Sequence, residues 1–222
     1  MRLTKLEHAA LVLEEDGKTL IIDPGSFTRP TAESIGDASS VVGIVLTHEH
    51  ADHWTPAQLN ALIEAAPGIR LFAPEGTTAA ISASDPAVKA EVTVVHAGDE
   101  ITVGPFELRF FGGKHAVIHS SIPIVDNVGV LVNDVLYYPG DSFAVPEGIE
   151  VDALATPVGA PWLKIAEVID YVLEVKPKRS FATHEMVLSD AGKSMGGDRI
   201  RWATEQNGGT YISLTPGDSV EL

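Results

Sequence analysis

The sequence predicts an α/β protein in which two β-sheets pack face to face and helices cover both outer surfaces, a four-layer αββα sandwich. The prediction rests on two β-rich sections, each of which carries helical segments. No long linker, low-complexity tract or repeat of solenoid period separates them. With 222 residues, 45% of them apolar, the chain is long enough for one sizeable core, and we predict a single domain over residues 1–222.

The first third of the chain begins with strand signals. Apolar runs flank a DG turn in ALVLEEDGKTLIIDPG, and the β-branched run VVGIVLTH predicts a buried strand. A helix follows, because Thr55 and Gln58 form a capping box, Pro56 suits the first helical position and a PG pair ends the apolar face. The polar residues between this strand and this helix therefore lie on a connecting loop.

The remainder predicts more strands and three helices. A short strand, RLFAP, and a helix, EGTTAAISAS, precede three β-rich runs that we interpret as hairpins: VTVVHAGDEITVGPFELRFFGG, NVGVLVNDVLYYPGDS and VDALATPVG. Apolar residues at helical spacing between two prolines predict an amphipathic helix in PWLKIAEVIDYVLEVKP. The strand RSFATHE, a helix around Asp198 to Gln206 and a final strand, TYISLTP, complete the prediction.

Charge and cysteine content restrict the function. The formal net charge of −16 repels polyanions, so we expect a small-molecule substrate and no nucleic-acid partner. The chain has no cysteine, so nitrogen and oxygen atoms must hold any metal. No stretch has the apolar length of a signal peptide or a membrane span. We therefore expect a cytoplasmic protein with no membrane partner, for which a homo-oligomer is plausible.

The loop after VVGIVLTH carries the main chemical signal, the pattern His48-x-His50-x-Asp52-His53. In extended backbone, residues two apart point the same way, so the first two histidines can converge on one ion while the following turn directs Asp52 and His53 to a second. Imidazole nitrogens and carboxylate oxygens suit zinc, with manganese or iron as alternatives. A solvated polar loop is the competing interpretation, but four such residues in six positions favour a metal site.

The motif and its context resemble the metallo-β-lactamase fold hydrolases, whose signature H-x-H-x-D-H follows a strand of this kind. TLIIDPG before the motif, a histidine after a middle strand, an aspartate in YYPGDS and a late histidine in FATHE occur in the order of that family. The resemblance covers nearly the whole chain and is closest to the small lactonase-like branch that includes ascorbate-6-phosphate lactonase. It implies the metallo-β-lactamase fold and two divalent metal ions.

The resemblance also implies the ligands of the two ions. One ion would have the first two histidines of the motif and a third histidine, the other would have the rest of the motif and the late histidine, and an aspartate would bridge them. The implied residues, apart from the third histidine, are His48, His50, Asp52, His53, Asp141 and His184. The third is His115 or His119, and we prefer His115 because it follows the strand FELRFF sooner. His119 is then a residue that supports a ligand or contacts substrate, or a surface histidine.

Other residues have two interpretations each. Asp23 is a turn former or a hydrogen-bond acceptor for a ligand histidine. Lys114 is a solvated lysine or attracts a phosphate or carboxylate, and Trp162 belongs to a pocket wall or to the core. His8 and His96 are interpreted as structural or exposed.

These features together predict a metal-dependent hydrolase in which a hydroxide shared by the two ions attacks a small lactone, ester or related substrate. Asp52 would orient the hydroxide and carry a proton to the leaving group. Two alternatives stay open, namely hydrolysis of small phosphodiesters and metal binding without catalysis. A diiron flavoprotein is disfavoured, because the diiron flavoproteins of this fold have glutamate at the position where this chain has His50.

Overall fold

Two seven-stranded β-sheets form the centre of this computed structural model, which describes residues 1–222. The strands of the first sheet are β1 (Arg2–Lys5), β2 (Leu11–Glu15), β3 (Lys18–Ile22), β4 (Val41–Val45), β5 (Arg70–Ala73), β6 (Val92–Val94) and β14 (Ser219–Glu221). Their spatial order is β14-β1-β2-β3-β4-β5-β6. The strands from β3 to β6 are parallel, and the other pairs are antiparallel.

The second sheet has a similar mixed arrangement. Its strands are β7 (Glu100–Val103), β8 (Phe106–Lys114), β9 (Asp126–Val132), β10 (Leu136–Tyr138), β11 (Ala153–Pro157), β12 (Arg179–Thr183) and β13 (Thr210–Tyr211). Their spatial order is β13-β12-β11-β10-β9-β8-β7. The strands from β10 to β13 are parallel, and those from β7 to β10 are antiparallel.

Helices cover the outer face of each sheet. The helices are α1 (Thr31–Ser34), α2 (Pro56–Ala65), α3 (Glu75–Ser82), α4 (Ile165–Val175) and α5 (Asp190–Gln206), with a short 3₁₀ helix at Ala38–Ser40. Leu62 of α2 and Ile81 of α3 belong to the apolar cluster on the first sheet, and Val168 of α4 and Ile200 of α5 to that on the second. The predicted four-layer αββα sandwich is therefore confirmed. No helix is long and apolar enough to cross a membrane.

Side-chain alternation along the strands separates the layers. In β3, Leu20 and Ile22 enter the cluster between the sheets, whereas Ile21 faces the helices. In β9, Val130 lies between the sheets and Leu131 packs toward α4 and α5. Successive residues of a strand point to opposite faces, and each fully buried side chain of this size stabilises the fold by about 1.5–3 kcal/mol.

The last helix differs from the prediction, since it begins at Asp190 rather than near Asp198. The side chain of Ser189 caps it by accepting a hydrogen bond from the backbone N–H of Gly192 at 3.2 Å. Glycines in its first half lower the helix propensity, but they allow close packing. A Cβ atom at Gly196 would lie 2.3 Å from the side chain of Val158. The close packing of the helix on Val158 therefore offsets the low helix propensity of its glycines.

The strand predictions also need correction. VDALATPVG is not part of a hairpin, because β11 runs parallel to β10, and β6 joins the first sheet rather than a hairpin with β7. TYISLTP forms only the two-residue strand β13. The chain ends instead in β14, which pairs with β1 at the edge of the first sheet. Neither β1 nor β14 was predicted, because both strands are short and their pairing joins opposite ends of the chain.

The fold places the ends of several strands at one edge. Strands β1, β3 and β4 run in the same direction within the first sheet, as do β8, β10 and β12 within the second. The carbonyl of Thr47 accepts a hydrogen bond from the backbone N–H of Val128 at 2.9 Å, which joins the two sheets there. The loops that leave these strands therefore meet, and they carry the candidate site.

Candidate metal centre

Loops that follow five strands bring eight side chains of metal-ligating types, histidine and aspartate, into two groups. The first group contains His48, His50, His115 and Asp141, and the second contains His8, Asp52, His53 and His184. Within each group, the potential ligand atoms lie within 4.8 Å of one another. All seven residues predicted as ligands lie in these groups, and the eighth, His8, was not predicted to belong there.

The first group has the spacing of ligands around one ion. His48 Nε2 lies 3.0 Å from His50 Nδ1, and His115 Nε2 lies 3.4 Å from Asp141 Oδ2. His48 Nε2 is 4.0 Å from the same carboxylate oxygen. Ligand atoms of a tetrahedral zinc, with bonds of about 2.0–2.1 Å, lie roughly 3.3 Å apart, so these four side chains fit a single ion.

The second group is similarly spaced and shares Asp141 with the first. His184 Nε2 and His53 Nε2 lie 3.4 and 3.9 Å from Asp52 Oδ2. Asp141 places Oδ1 at 3.3 Å from His53 Nε2 and Oδ2 at 3.1 Å from His184 Nε2. One carboxylate thus lies within reach of both groups, the position that a bridging ligand needs.

Several buried atoms of the centre have no hydrogen-bond partner. They are Nε2 of His53, His115 and His184, and Oδ1 of Asp141. Leaving one such atom unsatisfied costs about 1–3 kcal/mol, and the short distances between them do not give hydrogen-bond angles. Bound cations would satisfy all of them, and a set of nitrogen and oxygen donors without sulfur suits zinc, with manganese or iron as alternatives.

Hydrogen bonds from outside fix the orientation of the rings. Asp23, fully buried, accepts a hydrogen bond from His53 Nδ1 at 2.7 Å and is itself held by the N–H and hydroxyl of Thr47. His184 Nδ1 donates to the carbonyl of Gly159 at 2.6 Å, and His115 Nδ1 donates to the carbonyl of Ala116 at 2.5 Å. Because each Nδ1 carries the proton, each Nε2 is free to bind a cation.

The backbone around the centre is held in uncommon conformations. His8, Asp23 and His184 have φ values of 60°, 48° and 57°, in the left-handed region that costs non-glycine residues energy. Gly25 lies so close to the motif loop that a Cβ atom there would be 1.8 Å from the carbonyl oxygen of Asp52. These local costs are offset by the contacts that fix the ligand loops.

Burial and mutual charge shift the pKa values of the ligands. Burial lowers the pKa of His48, and the neighbouring His53 adds to the effect. Burial also opposes charge on His184, but the carboxylates of Asp141 and Asp52 raise its pKa to about 9. Asp141 is buried too, yet His53 and His184 hold its pKa well below the usual range. Without metal, the centre therefore retains protons that a cation would displace.

The structure also places the other predicted residues. Trp162 is 8% exposed and donates a hydrogen bond from Nε1 to Asp141 Oδ2 at 2.7 Å, so it both belongs to the core and contacts the centre. Lys114 forms an ion pair with Asp126. His119 is exposed, lies in neither group, and is hydrogen-bonded within its own loop to Ser121.

The interpretation of His8 as a structural or exposed residue missed its place in the centre. His8 is fully buried, and its Nε2 atom lies 3.1 Å from Asp52 Oδ2. The position of His8 after a strand could have indicated its place in the centre. His8 follows β1 as Asp23 follows β3, and because both strands run in the same direction, both residues lie at the same edge of the sheet. The signal was hidden because β1 itself was not recognised.

Comparisons with known proteins agree with this fold. Residues 2–184 match the family model described as "Beta-lactamase superfamily domain". Protein Rv0786c from Mycobacterium tuberculosis is 36% identical over 194 residues, which cover 85% of this chain and 86% of that protein. Igni18, described as a novel metallo hydrolase from the archaeon Ignicoccus hospitalis, is 17% identical with a TM-score of 0.74, and the match covers 99% of this chain and 97% of that chain.

A further solved structure has the same fold and a different described activity. CmlA, described as a diiron β-hydroxylase from Streptomyces venezuelae, is 14% identical with a TM-score of 0.72. The match covers all of this chain, which spans about half (54%) of the CmlA chain. At these identities the structures show the shared fold, which the resemblance in the sequence had implied.

Proposed function

This chain belongs to the β-lactamase superfamily, and from that premise we propose that it is a metal-dependent hydrolase, which hydrolyses small, uncharged lactones or esters at a two-zinc centre. The observation that carries the proposal is the convergence of unsatisfied buried nitrogen and oxygen atoms into two groups that share Asp141. When bound, two divalent ions supply an acidified water and a positive field for the developing oxyanion.

The residues of the chain have separate tasks in this reaction. Asp141 lies within reach of both groups and is held there by the indole N–H of Trp162. Asp52 uses Oδ2 toward the second group, whereas its Oδ1 atom has no hydrogen-bond partner and its side chain is 25% exposed. Oδ1 is therefore placed to accept a proton from a water and return it to the leaving alkoxide.

Charge around the centre favours an uncharged substrate. The cationic side chains that adjoin the ligand loops have acidic partners, since Lys114 pairs with Asp126, Lys5 with Glu185 and Arg29 with Glu7. The chain as a whole carries a net charge of −16. A phosphodiester would thus find no unpaired cation at these three positions and would be repelled at longer range.

Apolar residues on the loops around the centre favour a substrate with an apolar part. Phe27, whose ring packs on His8, is 47% exposed, and Met186, next to the loop of His184, is 39% exposed. Ile122 and Ile124, in the loop that follows His115, are 43% and 51% exposed. Such exposed apolar groups beside a polar centre are typical of a ligand-binding site.

The test is a substrate panel with zinc-loaded protein, comprising an alkyl-substituted lactone, an aryl ester and bis(p-nitrophenyl) phosphate. We expect turnover of the lactone or ester, loss on chelation, recovery with zinc, and loss in His50→Ala. His96→Ala, at an exposed histidine, is the matched control and should retain full activity. Faster turnover of the phosphodiester would favour the phosphodiesterase alternative, and two bound ions without turnover of any class would favour metal binding without catalysis.

A further inference from the structure

The turn between β1 and β2 presents a buried histidine, His8, to the second group of the centre. The His8 side chain is fully buried, and its ring packs against that of His184 with 3.9 Å between centroids and 45° between the ring planes. The backbone N–H of His184 donates to the carbonyl of His8 at 2.8 Å. His8 is therefore held against one predicted ligand, His184, and its ring lies beside another, Asp52.

Both ring nitrogens of His8 have a partner. Nδ1 lies 3.3 Å from the backbone nitrogen of Met186, whose N–H points to it, and Nε2 lies 3.1 Å from Asp52 Oδ2. A backbone N–H can only donate, so Nδ1 must accept and cannot carry a proton. The single proton of the ring then resides on Nε2, which donates it toward the carboxylate.

This arrangement decides between two roles for His8. Its Nε2 atom lies close enough to the second group to be counted among potential metal ligands, but a protonated Nε2 has no lone pair for a cation. We propose that His8 is a positioning residue that orients Asp52 by a hydrogen bond, and that it does not bind metal. Asp52, His53, His184 and the shared Asp141 are then the protein ligands of the second ion.

The hydrogen bond has a consequence for the reaction. With Oδ2 of Asp52 held by His8 and close to His184 Nε2, Oδ1 is the carboxylate oxygen without a hydrogen-bond partner in a side chain that is 25% exposed. Loss of the hydrogen bond would let the carboxylate rotate, which should weaken the second ion and misplace the oxygen that handles the proton. The activity part of this inference rests on the proposed function, whereas the metal part does not.

Two substitutions separate the hydrogen bond from the bulk of the ring. His8→Gln places an amide N–H2 near the position of Nε2 and keeps a donor for Asp52. His8→Asn is too short to reach Asp52, but its amide oxygen can replace Nδ1, and asparagine tolerates the φ of 60°. His96→Asn, at an exposed histidine, is the control for loss of an imidazole, and thermal melting verifies that each variant folds.

The readouts are the affinity of each zinc ion, from competition with a chromophoric chelator, the absorption spectrum of the cobalt-substituted protein, and kcat and KM. We expect His8→Asn to lower the affinity for one zinc ion, or to lower kcat at unchanged KM, by about 10–100-fold. His8→Gln should stay within about threefold of the native protein in both quantities. Both variants should keep the native cobalt spectrum.

A cobalt spectrum with one nitrogen ligand fewer would show that His8 binds metal, and equal losses in the two variants would show that a donor to Asp52 is not what the ring supplies. An unchanged His8→Asn would show that the hydrogen bond has no role. If no substrate is found, the zinc affinities and cobalt spectra still decide between these outcomes, so failure of the proposed function is distinguishable from failure of this inference.

Discussion

Replacement of Asp23 by asparagine should weaken the binding of one of the two proposed ions while leaving the fold intact. Asp23 is fully buried and accepts hydrogen bonds from His53 Nδ1 at 2.7 Å and from the N–H and hydroxyl of Thr47 at 2.8 and 2.6 Å. Asparagine has nearly the same shape and tolerates the φ of 48° found there. The substitution therefore changes charge and hydrogen bonding without straining the backbone.

The magnitude follows from the lost interaction. A hydrogen bond to a charged group contributes about 1.5–3 kcal/mol, which for a chain of this length corresponds to a Tm lower by roughly 3–12 °C. If the asparagine NH2 faces His53 Nδ1, the imidazole proton moves to Nε2, which can then no longer bind a cation. We expect the affinity for one zinc ion to fall by about 10–100-fold.

The assay is zinc competition together with thermal melting, with and without chelator. Asp198→Asn, an exposed carboxylate on α5, is the matched control and should change neither the Tm nor the zinc affinity. The reasoning would be refuted if Asp23→Asn bound both ions with native affinity.

Three further predictions concern packing, a hydrogen bond and proton release. Gly25→Ala should lower the stability by at least about 1–3 kcal/mol and reduce zinc content, because the added methyl group overlaps the backbone of the ligand loop; melting and elemental analysis test this. Trp162→Phe keeps the packing but loses the indole hydrogen bond to a ligand carboxylate, so zinc affinity or kcat should fall about tenfold in the same competition and kinetic assays. The raised pKa of His184, about 9 without metal, means that zinc must displace its proton, so zinc affinity should rise with pH up to about 9, as calorimetry in buffers of different ionisation enthalpy will show.

Each of the two substitutions has a control variant within the chain. Gly36→Ala introduces a methyl group with no atom within 4 Å and should be nearly neutral. Trp202→Phe affects a tryptophan that is 47% exposed and should leave the centre unchanged. A native-like Gly25→Ala, a Trp162→Phe variant equal to its control, or a zinc affinity independent of pH between 6 and 9 would each contradict the corresponding argument.

The stability of the metal-free protein should follow the same pKa shift. The pKa of His184 is raised from 6.5 to about 9 in the fold, so protonation of this residue stabilises the metal-free protein fully below pH 6.5 and the contribution is lost as the pH rises through about 9. The shift corresponds to about 3 kcal/mol. The contribution of His184 should therefore make the metal-free protein melt at a lower temperature at pH 10 than at pH 6.

The sequence predicted those parts of the fold that have strong local signals. The capped helix that begins at Pro56 and the amphipathic helix α4 appear as predicted, because their caps and apolar spacing are local. The motif loop was predictable for the same reason, since His48 lies only three residues after the end of the buried strand β4. Three loops from distant parts of the chain contribute the remaining predicted ligands, and only the resemblance in their order selected them.

What the sequence did not show depends on contacts between distant segments. Strands β1 and β14 pair across almost the full length of the chain, and without β1 there was no reason to place His8 in the centre. The first half of α5 contains glycines that oppose a helix locally, and its packing on Val158 is a tertiary effect. The pairing of Lys114 with Asp126 is likewise invisible in a sequence, although it bears on the substrate.

The central claim is a pair of cations held in one centre by two groups of side chains that share Asp141. Anomalous diffraction at the zinc absorption edge, from crystals grown with zinc, tests it most directly. We predict two peaks about 3.5–4 Å apart, one beside His48, His50 and His115 and the other beside Asp52, His53 and His184. A single peak, or peaks away from these side chains, would contradict the account.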